Sequence, residues 1–222
     1  MRLDKLLGNL KYGTRKEVKN LVKKKLVKVN DEIVKDPSMQ VDPSKDKVFL
    51  DNEEVIYREN ILLMLHKPKG YVCANSDNVH KTIFELIEEP YSRMNLNIAG
   101  RLDIDTEGLV LLTDNGELLH DLISPNKNIY KTYLVRTNMK FNPKVLLQDY
   151  QLLDGNDRLY TPMTPFYEVI NDFEFYLSIK EGKFHQVKRM VQKFGAEVTY
   201  LKRIAYGDIL LGELPIGEYK EI

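Results

Sequence analysis

The sequence has no tryptophan, a single cysteine and no long apolar run. One thiol, Cys73, cannot form an intrachain disulfide and cannot build a thiolate zinc site. The longest uncharged apolar run, residues 61–65, is far shorter than the about 20 residues that span a bilayer. The first residues lack the apolar stretch and the small-residue cleavage site of a secretory signal. We therefore expect a cytoplasmic protein without membrane association.

The formal net charge of zero conceals two segments of opposite sign. Residues 1–28 contain ten Lys and Arg against two acidic residues, a balance of +8. The rest of the chain then carries 23 basic and 31 acidic residues, a balance of −8. A basic segment on an acidic body indicates a module that binds a polyanion. At 222 residues and 43% hydrophobic content, the chain can form one large domain or two smaller ones with buried cores.

The basic segment has the pattern of two short amphipathic helices. Four leucines between residues 3 and 10 have the spacing of one buried helical face, and Gly13 interrupts that pattern. Thr14, with Glu17 three residues later, forms a capping-box signature that starts a second helix. The basic residues that this second helix offers to a polyanion are Arg15, Lys16, Lys19 and Lys23.

Short strands are predicted to follow, ending with one over 55–57, and we place a domain boundary at residue 57. Beyond it, strands and helices mix without the regular alternation of a doubly wound fold, which predicts an α+β fold. Strands are expected over 61–66, 71–74, 109–112, 130–135 and 173–179. Helices are expected over 83–88, after a cap at Thr113 or Asp114, and over 185–194.

Three polar clusters are candidates for chemistry. Residues 100–108, GRLDIDTEG, place three carboxylates and an arginine between glycines, which suits a functional loop but equally a solvated turn. In KTYLV, residues 131–135, the tyrosine by itself is typical of a strand. In EGKFHQVKRM, residues 181–190, two basic residues fall in the first turns of a helix, where the dipole favours anions. The alternative there is a solvated basic face.

Together these motifs resemble the RsuA-type small-subunit ribosomal RNA pseudouridine synthases, over essentially the whole chain. GRLDIDTEGLVLLTDNG, KTYLV and EGKFHQVKRM occur in the order of the family's motifs, and HKPKGYVCA resembles its Lys-Pro-x-Gly turn. Residues 2–30 resemble an S4-like RNA-binding domain, except that Asp31 stands where such hairpins more often carry Gly. The resemblance implies an S4-like αα-β domain over 1–57. It also implies a pseudouridine synthase domain over 58–222, with a mixed, mainly antiparallel sheet and flanking helices.

The resemblance implies that the protein isomerises a specific uridine to pseudouridine in ribosomal RNA, with 16S rRNA of the small subunit as the expected target. It places the catalytic carboxylate at Asp103, the tyrosine that stacks on the target base at Tyr133, and the basic partner at Lys188 with Arg189 beside it. Arg101 is expected to fill the space that the base vacates or to grip a phosphate. No cofactor and no metal are implied, and we expect a monomer that acts on ribosomal RNA or an assembling ribosomal subunit.

Physical reasoning agrees with these roles. A carboxylate buried in a site that excludes water loses its charge unless a cation lies close, and Lys188 is the expected cation for Asp103. Asp105, two residues on, is interpreted as a structural anchor for Thr106 and the neighbouring amides.

Other functions fit parts of the sequence. One alternative is a pseudouridine synthase that acts on 23S rRNA. Another is a non-catalytic assembly factor that binds ribosomal RNA, which would share the basic segment and give Asp103 no role. The residues 103–105 also match the short DxD metal clamp of nucleotide-sugar transferases. The first two helices, with Gly13 in the turn, permit a DNA-binding helix-turn-helix, although no dimerisation helix is evident.

Overall fold

The computed structural model describes residues 1–222, and the chain divides into two compact units. The first comprises Met1–Ile61 and Ile87–Leu96, and the second comprises Leu62–Leu86 and Asn97–Ile222. The continuous part of the first unit ends close to the boundary expected at residue 57. The second segment of that unit falls in the part of the chain that the sequence assigned to the other domain.

Polar and aromatic contacts attach this second segment to the first unit. The Lys11 ammonium donates a hydrogen bond to the Ser92 carbonyl at 2.8 Å. The Arg93 guanidinium lies 4.4 Å from the centre of the Tyr12 ring. These contacts join parts of the chain about 80 residues apart, as the separation of 81 for the first pair shows, so local sequence patterns do not reveal them.

The first unit contains two helices and a four-stranded antiparallel sheet in the order β2-β1-β3-β4. Its elements are α1 (Leu3–Asn9), α2 (Arg15–Lys23), β1 (Val27–Val29), β2 (Glu32–Ile33), β3 (Val48–Leu50) and β4 (Glu53–Glu54). The predicted capping box of α2 is confirmed, since the Thr14 hydroxyl accepts from the Glu17 amide and the Glu17 carboxylate accepts from the Thr14 amide. The strand predicted over 55–57 is wrong. Asp51 and Asn52 adopt left-handed backbone conformations in a tight turn, so the returning strand is already formed at β4.

The second unit is built on a nine-stranded sheet whose main path is β13-β14-β10-β15-β9-β5-β17, with β16 paired to β15 and β8 to β9. The strands of this unit are β5 (Leu62–Lys67), β6 (Tyr71–Val72), β7 (Lys81–Thr82), β8 (Asn97–Ala99), β9 (Glu107–Thr113), β10 (Lys131–Thr137), β11 (Leu152–Leu153), β12 (Leu159–Tyr160), β13 (Phe166–Asn171), β14 (Glu174–Ile179), β15 (Val198–Tyr206), β16 (Ile209–Leu210) and β17 (Tyr219–Glu221). Within the large sheet only β15 and β9 run parallel, so the predicted mixed, mainly antiparallel sheet is confirmed. The pairs β11-β12 and β6-β7 form separate small ribbons.

Two α-helices and short 3₁₀ turns flank the strands. They are α3 (Gly116–Ile123), α4 (Gln186–Lys193), and the turns Ile83–Leu86, Tyr91–Arg93, Pro125–Lys127 and Pro143–Leu147, of which Tyr91–Arg93 belongs to the first unit. The helix expected over 83–88 is therefore only a 3₁₀ turn. The cap of α3 is Asn115, whose side chain accepts from two backbone amides, because Thr113 is still paired in β9. None of the helices combines the length and apolar character required to cross a membrane.

The strand β15, which sequence patterns did not predict, is central to the sheet. Its buried side chains include Arg203, which is 1% exposed. A cation therefore interrupts the alternation of buried apolar residues by which a strand is recognised in a sequence. Beside it, Gly108 of β9 has φ +112°, and a Cβ there would lie 2.2 Å from the Arg203 carbonyl oxygen. The parallel pairing of β9 with β15 thus requires a glycine at 108.

We predict that Gly108→Ala lowers the free energy of unfolding by about 2–5 kcal/mol, because the added methyl group overlaps backbone and the φ angle is strained. Urea denaturation measures the change. The matched control is Gly116→Ala, because a Cβ at Gly116 meets open space and the residue has no positive φ. Equal stability of the two variants would contradict this account of the β9-β15 pairing.

Candidate active site

The loop between β8 and β9 carries the polar cluster of residues 100–106, and a buried arginine fixes its entrance. Arg203 donates from Nε to the Leu109 carbonyl at 2.7 Å and from a terminal nitrogen to the Gly100 carbonyl at 2.5 Å. Gly100 has φ +75°, and a Cβ there would lie 2.5 Å from the Tyr206 ring. Where the loop leaves β8, its backbone at Gly100 is therefore in close contact with the Tyr206 ring of β15.

A buried lysine holds the far side of the same loop. Lys67, at the end of β5, has no exposed surface, and its ammonium donates to the carbonyls of Pro68 at 3.0 Å and Thr106 at 2.8 Å. Burial lowers the pKa of Lys67. Sequence reasoning noted the motif HKPKGYVCA but gave Lys67 no role, although a lysine before Pro-x-Gly at the end of an apolar strand was the available signal.

A single ammonium group joins two carboxylates of the loop. The Nζ of Lys188, on α4, donates to Oδ2 of Asp103 at 3.1 Å and to Oδ1 of Asp105 at 2.6 Å. The predicted pairing of Lys188 with Asp103 is present. The predicted role of the Asp105 side chain as an anchor for Thr106 is wrong: that carboxylate contacts Lys188, and the Thr106 amide instead donates to the backbone carbonyl of Asp103 at 3.1 Å.

The electrostatics of the cluster favour the charged forms of Lys188 and Asp105. Burial by itself lowers the pKa of Lys188, but hydrogen bonds to Asp105 and Asp103 outweigh it and the pKa rises above the ordinary lysine value. Burial likewise raises the pKa of Asp105, and the hydrogen bond and charge of Lys188 reverse this to a net lowering. The arrangement can therefore keep the Lys188 ammonium and the Asp105 carboxylate ionised together in a partly buried site.

The turn before α4 aims Lys188 at the loop. The Gln186 side chain is buried, accepts from the Lys183 amide at 3.1 Å and donates to the Glu181 carboxylate at 2.8 Å. His185 precedes the helix in a left-handed conformation and places Nε2 3.6 Å from Oδ2 of Asp103. Glu181, Gln186 and His185 lie in a motif noted in the sequence, but no role was assigned to them there.

The paired carboxylates line a cleft of about 930 Å³ in the second unit. Tyr133 of β10 is 7% exposed, and its ring lines the same cleft, opposite Arg203 in the register of β10 and β15. Arg101 is exposed and also lines the cleft. The structure thus brings four predicted residues to one cleft: Arg101, Asp103, Tyr133 and Lys188.

Arg189 does not join this group. Its guanidinium donates to the backbone carbonyls of Leu153 and of Asp154, the latter at 2.9 Å, and therefore binds the β11-β12 ribbon. It lies one residue beyond Lys188 on α4, and successive helical residues point in different directions. The other predicted binding residues are exposed on α2 of the first unit: Arg15, Lys16, Lys19 and Lys23.

Comparison with known proteins gives consistent matches. The family model described as RNA pseudouridylate synthase matches residues 61–193, and the S4 domain model matches residues 1–47. The chain is 41% identical over 229 residues to "Uncharacterized RNA pseudouridine synthase YtzG" of Bacillus subtilis, covering 100% of this chain and 95% of that protein. It is 37% identical over 226 residues to "Ribosomal small subunit pseudouridine synthase A" of Haemophilus influenzae, covering 100% and 96%. A solved structure titled "Crystal structure of pseudouridylate synthase" matches with a TM-score of 0.67 and 35% identity, over 100% of this chain and 96% of that chain.

The ion pair of Asp105 predicts a pH-dependent stability. Its pKa in the folded protein is lowered, so the stabilisation is present above the ordinary value of 3.8 and is lost as the pH falls through the lowered value. We expect Asp105→Asn to cost at most about 1 kcal/mol near neutral pH, because the carboxylate is largely exposed. In acid below the lowered pKa of the folded protein, the cost should vanish.

Urea denaturation of wild type and variant at the two pH values measures this difference. Asp208→Asn, which removes an exposed carboxylate on the β15-β16 turn, is the matched control. An Asp105→Asn cost that is the same in acid and at neutral pH would show that Lys188 does not hold this carboxylate.

Proposed function

Because the chain belongs to the RNA pseudouridylate synthase family and is an RNA pseudouridine synthase, we propose that it modifies a uridine of small-subunit ribosomal RNA and that Asp103 is the catalytic carboxylate. Relatives named ribosomal small subunit pseudouridine synthase A, 34–37% identical over nearly their whole length, support the substrate. The S4 domain match over residues 1–47 supports an RNA-binding module ahead of the synthase domain.

One observation carries the proposal for the site: Asp103 lies in a cleft, 3.1 Å from the Lys188 ammonium, with Tyr133 lining the same cleft. The isomerisation breaks the N1–C1′ bond of uridine and forms a C5–C1′ bond, while one proton leaves C5 and one is gained at N1. The exchange is redox-neutral, so its balance requires no oxidant or reductant. A carboxylate that acts as a nucleophile divides this exchange into easier steps.

The other cleft residues have roles that follow from their positions. Tyr133 offers the face of its ring to the uracil, and its hydroxyl can orient the base. The base must leave its stack to reach Asp103, at a cost of a few kcal/mol. Arg101, exposed at the cleft, is placed to fill the vacated space or to contact a flanking phosphate. The Lys188 ammonium, 3.1 Å from Asp103, remains the ion-pair partner of that carboxylate when RNA displaces water.

The exposed basic residues of α2 supply affinity in this proposal. Arg15, Lys16, Lys19 and Lys23 present their charges on the surface of the first unit. We further propose a monomeric, cytoplasmic enzyme that needs neither metal nor organic cofactor. Its substrate is ribosomal RNA, either free or in an assembling subunit.

Replacing the catalytic carboxylate tests the site. We expect Asp103→Asn to lower pseudouridine formation by at least about 10³-fold, since the amide is not a nucleophile, while RNA affinity and the unfolding midpoint stay near wild type. Tritium release from RNA labelled at C5 of uridine measures turnover. Asp208→Asn, with the same loss of charge outside the cleft, should remain fully active. Wild-type turnover by Asp103→Asn would remove Asp103 from the mechanism.

Mapping pseudouridines in ribosomal RNA from cells with and without the gene tests the substrate. The proposal predicts the loss of one modified position in small-subunit RNA, restored by the wild-type gene and not by Asp103→Asn. Loss of a position only in large-subunit RNA would contradict the proposed target and leave the reaction intact.

Neutralising the α2 surface tests the RNA-binding module. We expect the triple variant Lys16→Gln, Lys19→Gln and Lys23→Gln to weaken RNA binding. The plot of log affinity against log salt concentration should also become less steep, its negative slope shrinking in magnitude by roughly two to three, because fewer counterions are released. A matched triple variant at exposed lysines of the second unit serves as the control: Lys140→Gln, Lys144→Gln and Lys220→Gln. An unchanged salt slope in the α2 variant would show that these lysines do not face phosphates.

A further inference from the structure

The backbone of His185 has a conformation that residues other than glycine adopt only at a cost in free energy. Its φ is +52° and its ψ is +28°, in the left-handed region, immediately before α4 begins at Gln186. Histidine is among the residues enriched several-fold in this region, yet such conformations are uncommon and concentrate at functional sites. The conformation directs the imidazole away from the helix and towards the β8-β9 loop, where it reaches Asp103.

A column of stacked groups fixes the orientation of the imidazole ring. The ring of Phe184 stacks on that of His185, with centroids 3.8 Å apart and an interplanar angle of 18°. The Arg189 guanidinium lies 5.1 Å from the centre of the Phe184 ring and is itself held by the carbonyls of Leu153 and Asp154. Gly155 leaves room for this column, because a Cβ there would lie 3.1 Å from Cβ of Phe184. The imidazole is thus supported before any RNA binds.

The two oxygens of the Asp103 carboxylate have different surroundings. Nζ of Lys188 and Nε2 of His185 both approach Oδ2, at 3.1 Å and 3.6 Å, and neither donates a hydrogen bond to Oδ1. Lys188 lies closer to Asp105, at 2.6 Å, so its ammonium is shared and leaves room for a second donor on Oδ2. In structures without substrate, the hydrogen bonds of an active site are often long and shorten in the complex.

We propose that His185 is a positioning residue for Asp103. In the RNA complex its Nε2–H donates to Oδ2, and together with Lys188 it holds that oxygen, so that Oδ1 is the oxygen presented to the target nucleotide. The inference rests on the proposed catalytic role of Asp103. It assigns a task to the stacked column of Arg189, Phe184 and His185, which the proposed function did not use.

Three substitutions separate the donor, the ring and the backbone conformation. His185→Phe keeps an aromatic ring and loses the N–H, whereas His185→Gln keeps an N–H at similar reach and loses the ring. His185→Asn favours the left-handed backbone but is too short to reach Oδ2. We expect kcat of the Phe and Asn variants to fall about ten- to hundredfold, as for the loss of a hydrogen bond to a charged group, with KM for RNA little changed. The Gln variant should recover most of the activity.

Single-turnover and steady-state assays on one uridine-containing ribosomal RNA fragment, with Asp103→Asn in the same series, decide between the outcomes. Wild-type kcat in His185→Phe or in His185→Asn would overturn the positioning role. If His185→Phe does not fold, a Gln variant more active than the Asn variant supports the role, and equal activities overturn it. An active Asp103→Asn variant would instead defeat the proposed catalytic role of Asp103, so the two failures are distinguishable.

Discussion

The ammonium group of Lys188 lies between two carboxylates, and the arrangement of the site depends on it. Without that charge, the carboxylates of Asp103 and Asp105 would be two like charges in one partly buried cleft, which is unfavourable. The ammonium comes from α4, whereas both carboxylates come from the loop between β8 and β9. The chain continues from α4 into β15 and from the loop into β9, so the pairing of β15 with β9 brings the ammonium and the carboxylates together.

Two further cations stabilise the loop in a different way. Lys67 and Arg203 are both buried, and both donate to backbone carbonyls around the loop. Burying a charge is unfavourable unless its donors are satisfied, and carbonyl oxygens satisfy them here without adding a negative charge next to Asp103. The loop backbone is thus held rigidly while the charge of Asp103 is balanced separately by Lys188. A carboxylate placed on a rigid support in this way is aligned before substrate arrives.

The sequence predicted the local features of this architecture well and its long-range contacts poorly. The α2 capping box and the buried strand around 109–112 follow from spacing and polarity within a few residues. The strand β15 was not predicted because Arg203 interrupts its apolar pattern. That arginine donates hydrogen bonds to backbone carbonyls about 100 residues away in the sequence, at a separation of 103 for Gly100. Neighbouring residues of a motif also diverge: Lys188 reaches the cleft and Arg189 binds β11, a difference of helical direction that a motif does not show.

The motif resemblance went further than spacing, because it placed residues from distant segments in one site. The predicted Arg101, Asp103, Tyr133 and Lys188 do line one cleft, although they come from a loop, a strand and a helix. The motifs gave Lys188 as the partner of Asp103 but did not give its second partner, Asp105. The pairing of Asp105 with Lys188 depends on the backbone path of the loop, which Lys67 and the glycines at 100 and 108 determine.

The most direct test of the central claim is a structure of Asp103→Asn bound to a ribosomal RNA fragment that contains the target uridine. The quantities to measure are the distances from the side-chain amide of the asparagine at position 103 to C1′ and C6 of that nucleotide. Our account predicts an unstacked uridine inside the cleft, with its base against the Tyr133 ring and the residue 103 side chain in contact with the sugar or the base. A uridine bound at another surface, or one that enters the cleft without approaching residue 103, would contradict it.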